Sequence, residues 1–141
     1  TITVEDNTAP TFVEALPADA TVECDNVPDA ATLTATDNCD ASVTVIFNEV
    51  RTDSACDSEY SLARTWTVTD CAGNETSHTQ TITVEDNTAP TFVEALPADA
   101  TVECDNVPTA ATLTATDNCD ASVTVSFTET RDGGAGACAS E

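Results

Sequence analysis

Tyr60-Ser-Leu-Ala-Arg-Thr-Trp66-Thr-Val-Thr69 is the stretch that decides the fold class. Leu62, Trp66 and Val68 alternate with Thr65, Thr67 and Thr69. A period of two puts apolar side chains on one face of a strand and polar ones on the other. Arg64 shares the Trp66 parity, a charge on the apolar face that an edge position would allow. Outward from this stretch the same period recurs. Val22 and Cys24 alternate with Thr21 and Glu23, and Ala31, Leu33 and Ala35 with Thr32, Thr34 and Thr36. Val43, Val45 and Phe47 alternate with Thr44 and Ile46, and Ile82 and Val84 with Thr81 and Thr83. No stretch has a helical period. Turn signals at Asp25-Asn-Val-Pro28, Asp37-Asn-Cys-Asp40, Arg51-Thr-Asp-Ser54 and Ala72-Gly-Asn74 separate the runs.

Residues 1–45 return at 81–125 with one change, Asp29 to Thr109. Near-identity at a fixed period of 80 residues is the mark of a tandem array. Ile46 becomes Ser126, as expected of a side chain that faces water. Six or seven short strands per period predict an all-β chain of immunoglobulin-like β-sandwich modules, head to tail. Thr1-Ile-Thr-Val matches Thr81-Ile-Thr-Val, so residues 1–7 read as the last strand of a preceding module plus a junction. Residues 8–87 are then a complete repeat and 88–141 an incomplete second one, and the natural protein is expected to extend both ways.

A unit of this size with few aromatic residues has a thin core and needs staples. Its cysteines, at 24, 39, 56 and 71 and then at 104, 119 and 138, form no Cys-x-x-Cys pair, and His78 is the sole histidine. Zinc would want short paired spacings; an even number per module reads as disulfides in an oxidising place. Strand direction suggests the pairing. If strand 20–24 runs up, Cys24 is at the top; strand 31–37 then leaves Cys39 at the bottom. Strand 42–50 runs up to Cys56, and strand 60–70 runs down to Cys71. A seven-residue strand spans roughly 23 Å, far beyond the roughly 4.4–6.8 Å between bonded Cα atoms. Same-end pairs are therefore expected: Cys24–Cys56, Cys39–Cys71 and, in the second copy, Cys104–Cys138. The alternative, Cys24–Cys39 with Cys56–Cys71, would bridge opposite ends.

The net charge is −23, with no Lys and just Arg51, Arg64 and Arg131. Nucleic acid and anionic membrane surfaces need a basic face and are excluded as partners. Such a surface keeps an extended chain soluble, and clustered carboxylates can hold calcium, a hard cation that takes oxygen ligands. No apolar run is long enough to span a bilayer as a helix.

Asp37-Asn-Cys-Asp40, followed by Trp66-Thr-Val-Thr-Asp-Cys-Ala-Gly-Asn74 and a Thr-Ile-Thr-Val strand, resembles the hyalin-repeat (HYR) pattern. The whole unit, with its four cysteines and Asp-Asn-Thr-Ala-Pro junction, is similar to repeats of giant Bacteroidetes cell-surface adhesins, among them gliding-motility adhesins of type IX secretion. The resemblance implies an immunoglobulin-like fold, an extracellular, outer-membrane-attached site and an adhesive or spacer role. The junction Glu85-Asp-Asn-Thr-Ala-Pro-Thr-Phe92 resembles the calcium-binding linker of cadherins. By the strand directions, Asp37, Asp40, Asp70 and Asn74 come near Asp6 and Asn7. Asp117, Asn118 and Asp120 come near Asp86 and Asn87. Calcium is the cation these groups would hold. Asp53-Ser54-Ala55 matches a short Bacteroidetes O-glycosylation pattern at Ser54, and Asn74-Glu-Thr76 fits the N-glycan sequon.

No Ser-His-Asp signature, phosphate loop or zinc-helix motif occurs, so the chain is not expected to be an enzyme. Its expected role is a stalk segment of a giant adhesin filament. Its partners would be neighbouring repeats and, through other regions, an extracellular surface or polysaccharide. The rivals are a module that itself grips polysaccharide or protein, and a spacer in a large secreted hydrolase.

Overall fold

The computed structural model describes residues 1–131, which fall into two compact units, the first Thr1–Thr88 and the second beginning at Ala89. The described residues contain strands and turns and no helix.

In the first unit the strands are β1 (Thr11–Phe12), β2 (Ala20–Glu23), β3 (Ala35–Thr36), β4 (Val45–Asp53), β5 (Tyr60–Thr69) and β6 (Glu75–Glu85). A four-stranded sheet runs in the order β2-β6-β5-β4. Strand β2 is parallel to β6, with Ala20 opposite Ile82 and Glu23 opposite Glu85. The β6–β5 and β5–β4 pairs are antiparallel, with Trp66 between His78 and Phe47. The period of two is realised: Leu62, Trp66 and Val68 of β5 and Ile82 and Val84 of β6 are all buried. Leu62, Ile82 and Val84 form a core cluster against Ala20, Val22, Cys24, Val27 and Tyr60. Each such side chain contributes about 1.5–3 kcal/mol on burial. The β5–β6 turn closes at Gly73, whose φ of +93° suits glycine because there is no Cβ to clash.

A second sheet pairs β1 with β3, with Thr11 opposite Thr36 and Phe12 opposite Ala35. Glu14 fastens this pair, accepting bonds from the Thr34 amide (2.6 Å) and hydroxyl (2.7 Å).

Two expectations change. The strand predicted over 31–37 shrinks to Ala35–Thr36, because the Ala31 carbonyl is taken by the Trp66 indole N–H at 3.0 Å. Arg64 is no edge residue: β5 is an interior strand, and the side chain is 4% exposed. Its Nε donates to Glu49 of β4 at 2.7 Å and its Nη2 to the Pro28 carbonyl at 2.8 Å, so the buried charge is paired and bonded as burial requires. Thr1–Val4 form no strand, and Ile2 and Val4 are 90% and 89% exposed, while Ile82 and Val84 of the identical later copy are 0% and 1% exposed.

In the second unit β7 (Thr91–Phe92) pairs with β8 (Ala115–Thr116) in the register of β1 and β3. Glu94 fastens Thr114 with the same two bonds, 2.6 and 2.7 Å. Ile46 is 68% exposed, consistent with its replacement by Ser126.

Candidate functional site

The end of the first unit below β3 and β5 gathers most of the predicted acidic residues. Asp37 opens the turn after β3, and its Oδ2 accepts from the Cys39 (2.8 Å) and Asp40 (3.0 Å) amides, the local bond that makes Asp-Asn sequences turn. Asp40 then accepts from the Cys71 amide (2.8 Å) and thiol (3.0 Å), tying this turn to the one after β5. Asp70, 7% exposed, accepts from the Asn74 amide (2.8 Å) and side chain (2.7 Å). The Asn74 side chain also donates to the Asp6 carbonyl at 3.2 Å, holding the N-terminal segment. Asn7 beside it is exposed.

Two carboxylate oxygens are left over. Asp6 Oδ2 and Asp37 Oδ1 are buried and have no hydrogen-bond partner. One carboxylate oxygen of Asp6, one of Asp37 and the Cys39 Sγ lie within 4.8 Å of one another. Burial and then the charges of Asp6, Asp37 and Asp40 push the Cys39 thiol up. The bond to Asp40 and its charge do the same to Cys71. Burial raises Asp70, but the bonds from Asn74, Gly73 and Ala72 outweigh it and hold the carboxyl below its usual range. Hard oxygens beside a protonated thiol fit calcium better than zinc, which would take the thiolate.

The other end carries Cys24, whose amide extends the β2–β6 ladder to the Glu85 carbonyl at 3.1 Å. A cleft of about 380 Å³ lies there between the β4–β5 turn and Val84, Glu85 and Asn87. Asn87 is held by Glu23 (3.1 Å) and Glu85 (3.3 Å), and the Thr88 amide donates to Asp86 (3.2 Å), as Thr8 does to Asp6 (3.1 Å). In the second unit Asp117 accepts from the Cys119 (2.8 Å) and Asp120 (3.1 Å) amides, repeating the Asp37 turn, and Asn118 is exposed. Ser54 is exposed, and its Oγ bonds the Cys56 amide at 3.3 Å.

The cysteine pairing differs from expectation. Cys24 takes part in a disulfide, as does Cys119 of the second unit, whereas Cys39, Cys56, Cys71 and Cys104 carry free thiols. Neither Cys24–Cys56 nor Cys39–Cys71 is closed. Each sulfur expected to bond has another polar neighbour: Ser58 Oγ is 3.0 Å from Cys56, Asn38 donates to Cys39 at 3.1 Å, and Cys71 donates to Asp40. Cys104 is likewise unbonded, and Cys138 lies outside the described residues.

Residue patterning missed the side chains of β6 that reach the N-terminal loop. Thr76 donates to the Pro10 carbonyl (2.6 Å) and Gln80 to Ala18 (2.7 Å), while His78 Nε2 lies 2.8 Å from the Pro17 carbonyl. Their shared parity with Ile82 and Val84 was the available signal.

Comparison with known families finds that the model for an HYR-like domain with 4 cysteines matches residues 12–84, a span that holds Cys24, Cys39, Cys56 and Cys71. No curated protein matches the chain.

Proposed function

Because the chain belongs to the family of HYR-like domains with four cysteines, an extracellular type of repeat, we propose that it is a stalk segment of a giant cell-surface adhesin filament. The filament leaves the cell by type IX secretion, stays attached to the outer membrane and serves adhesion during gliding. Each repeat is an immunoglobulin-like sandwich without catalytic chemistry, and its immediate partners are the neighbouring repeats. No helix among the described residues is long and apolar enough to cross a membrane. The observation that carries the reading is the recurrence of 45 residues with a single change. It is supported by the return of the β1–β3 register and its Glu14 fastening at β7–β8 and Glu94. A spacer is copied whole in this way, whereas a catalytic domain gains little from it.

Calcium is the cation we assign to the Asp6 and Asp37 carboxylates, which come close together and each keep one buried oxygen without a hydrogen-bond partner. The bound ion would neutralise both and fix the junction segment against the Asp37 turn.

A fluorescent antibody fragment against the repeat, applied to living source cells, tests the role. Labels that travel along the cell body are expected. Label found solely in the medium would overturn the reading in favour of a spacer in a secreted enzyme.

A further inference from the structure

The outward face of the four-stranded sheet is chemically unlike the chain that bears it. Asn48–Thr65–Thr79 and Val50–Ala63–Thr81 are rows of opposite neighbours on β4, β5 and β6. Neither these rows nor the ones on either side of them carry a charged side chain. The Thr65 and Thr79 hydroxyls lie 3.2 Å apart. Ile46 and Val50 are 68% and 52% exposed beside them. The chain as a whole is 21% charged residues with a net charge of −23. Strand propensity does not explain the neutral patch, because the alternate positions of β4 carry Glu49, Arg51 and Asp53.

The two copies of the repeat mark the same face. Residues 1–45 return with one change, although much of that stretch is exposed. Over 46–51 the pattern alters. Ile46, Asn48 and Val50 become Ser126, Thr128 and Thr130, while Phe47, Glu49 and Arg51 return as Phe127, Glu129 and Arg131. Every outward position has changed there and none of the alternate ones. Free drift at exposed positions would have scattered changes through 1–45 as well. Each replacement puts one uncharged residue for another, so the face stays neutral while its mix of apolar and hydroxyl groups is altered.

We infer that this face binds a neutral polysaccharide strand. Sugar rings offer C–H faces, which pack on Ile46, Val50 and Ala63. They also offer hydroxyls, and the Thr, Ser and Asn48 side chains can both donate to and accept from these. The surrounding carboxylates repel an anionic polymer, and a cationic one would gain more from those carboxylates than from this face. A protein partner would want aromatic or Arg anchors at the centre, and the face has none. From Ser61 to Thr67 it runs roughly 20 Å along β5, room for several rings. At one end Thr52, Ser61 and Thr83 also line the cleft of about 380 Å³, where Glu85 and Asn87 add a carboxylate and an amide. One flat face binds weakly, and repetition along an array multiplies it. The inference does not rest on the stalk reading, since a spacer in a secreted enzyme would bind by the same face.

The test is electrophoresis of the intact chain in native gels cast with hydroxyethyl cellulose, laminarin or dextran, and with alginate as the anionic control. Retardation is expected in at least one neutral gel and not in alginate. Ile46→Asp and Val50→Asp, at side chains already exposed, should each raise the dissociation constant read from mobility by roughly tenfold, because contact with the sugar would bury an unpaired charge. Val13→Asp adds the same charge at a 60% exposed side chain outside this sheet and should leave retardation unchanged. Trp66 fluorescence confirms that each variant is folded. No retardation in any neutral gel would overturn the inference and leave the face to a protein partner. Equal retardation in alginate would overturn it, as would binding that Ile46→Asp and Val50→Asp leave intact or that Val13→Asp weakens as much.

Discussion

Replacing Arg64 by Met tests how the first unit tolerates a charge in its interior. The guanidinium makes two bonds of unequal worth. The one to the Pro28 carbonyl joins a 4% exposed donor to a backbone acceptor, and charge-assisted bonds of this kind contribute about 1.5–3 kcal/mol. The one to Glu49 reaches a carboxylate side chain that is 37% exposed, so water screens it and it adds about 1 kcal/mol or less. Met keeps the apolar stem, which limits the packing loss. Arg64→Met should therefore cost about 3 kcal/mol and lower the melting temperature by roughly 12–24 °C for a unit of this size. Glu49→Gln should cost under about 1 kcal/mol. Urea unfolding followed by Trp66 fluorescence isolates the effect, since the chain has one Trp and it lies in the first unit. Equal losses in the two variants, or an Arg64→Met loss below about 1 kcal/mol, would refute the ranking of the two bonds.

The carboxyl of Asp70 is held below its usual range, so its contribution is full above the unfolded value of about 4 and is lost as pH falls through the folded value. Thermal melts from neutral to acid pH should fall less steeply for Asp70→Asn than for the parent, and the two should converge in acid. The Cys39 and Cys71 thiols are raised, so iodoacetamide at mildly alkaline pH should label both more slowly than free cysteine, as peptide mass spectrometry will report. Calcium should raise the melting temperature of the first unit over that in EDTA, by mass action on the folded state. Asp37→Asn should remove the increase, and identical melts of the parent in calcium and EDTA would dismiss the assigned ion.

What the sequence could disclose depended on how local each cause was. The alternation from Leu62 to Val68 needed just the pleat, and the structure buries those side chains as the parity requires. Thr-Ile-Thr-Val shows the limit: the same four residues are an interior strand at 81–84 and exposed, unpaired chain at 1–4. Strand propensity is mostly the fit to neighbouring strands, and the later copy has β2 and β5 as its partners. Arg64 was misplaced for a related reason, because its partners, Pro28 and Glu49, lie 36 and 15 residues away. Strand direction brought Asp6, Asp37, Cys39, Asp40 and Cys71 to one end. It did not foresee which sulfurs would bond, since that turns on local competitors such as Asn38, Ser58 and Asp40. The orphaned oxygens of Asp6 and Asp37 depend on how the bonds around them are placed in space, which no local pattern carries.

The parallel pairing of β2 with β6 bears on how the unit carries load. Ala20 begins the early strand and Glu85 ends the late one, and the two strands are hydrogen-bonded neighbours from Ala20–Ile82 to Glu23–Glu85. A pull applied at the two ends of the unit drags these strands past each other along their length. The bonds between them are then sheared together rather than peeled apart one at a time. Resistance to a pull is governed by the barrier to unfolding rather than by equilibrium stability. A short parallel ladder, a small part of the folding free energy, thus sets the force at which the unit gives way.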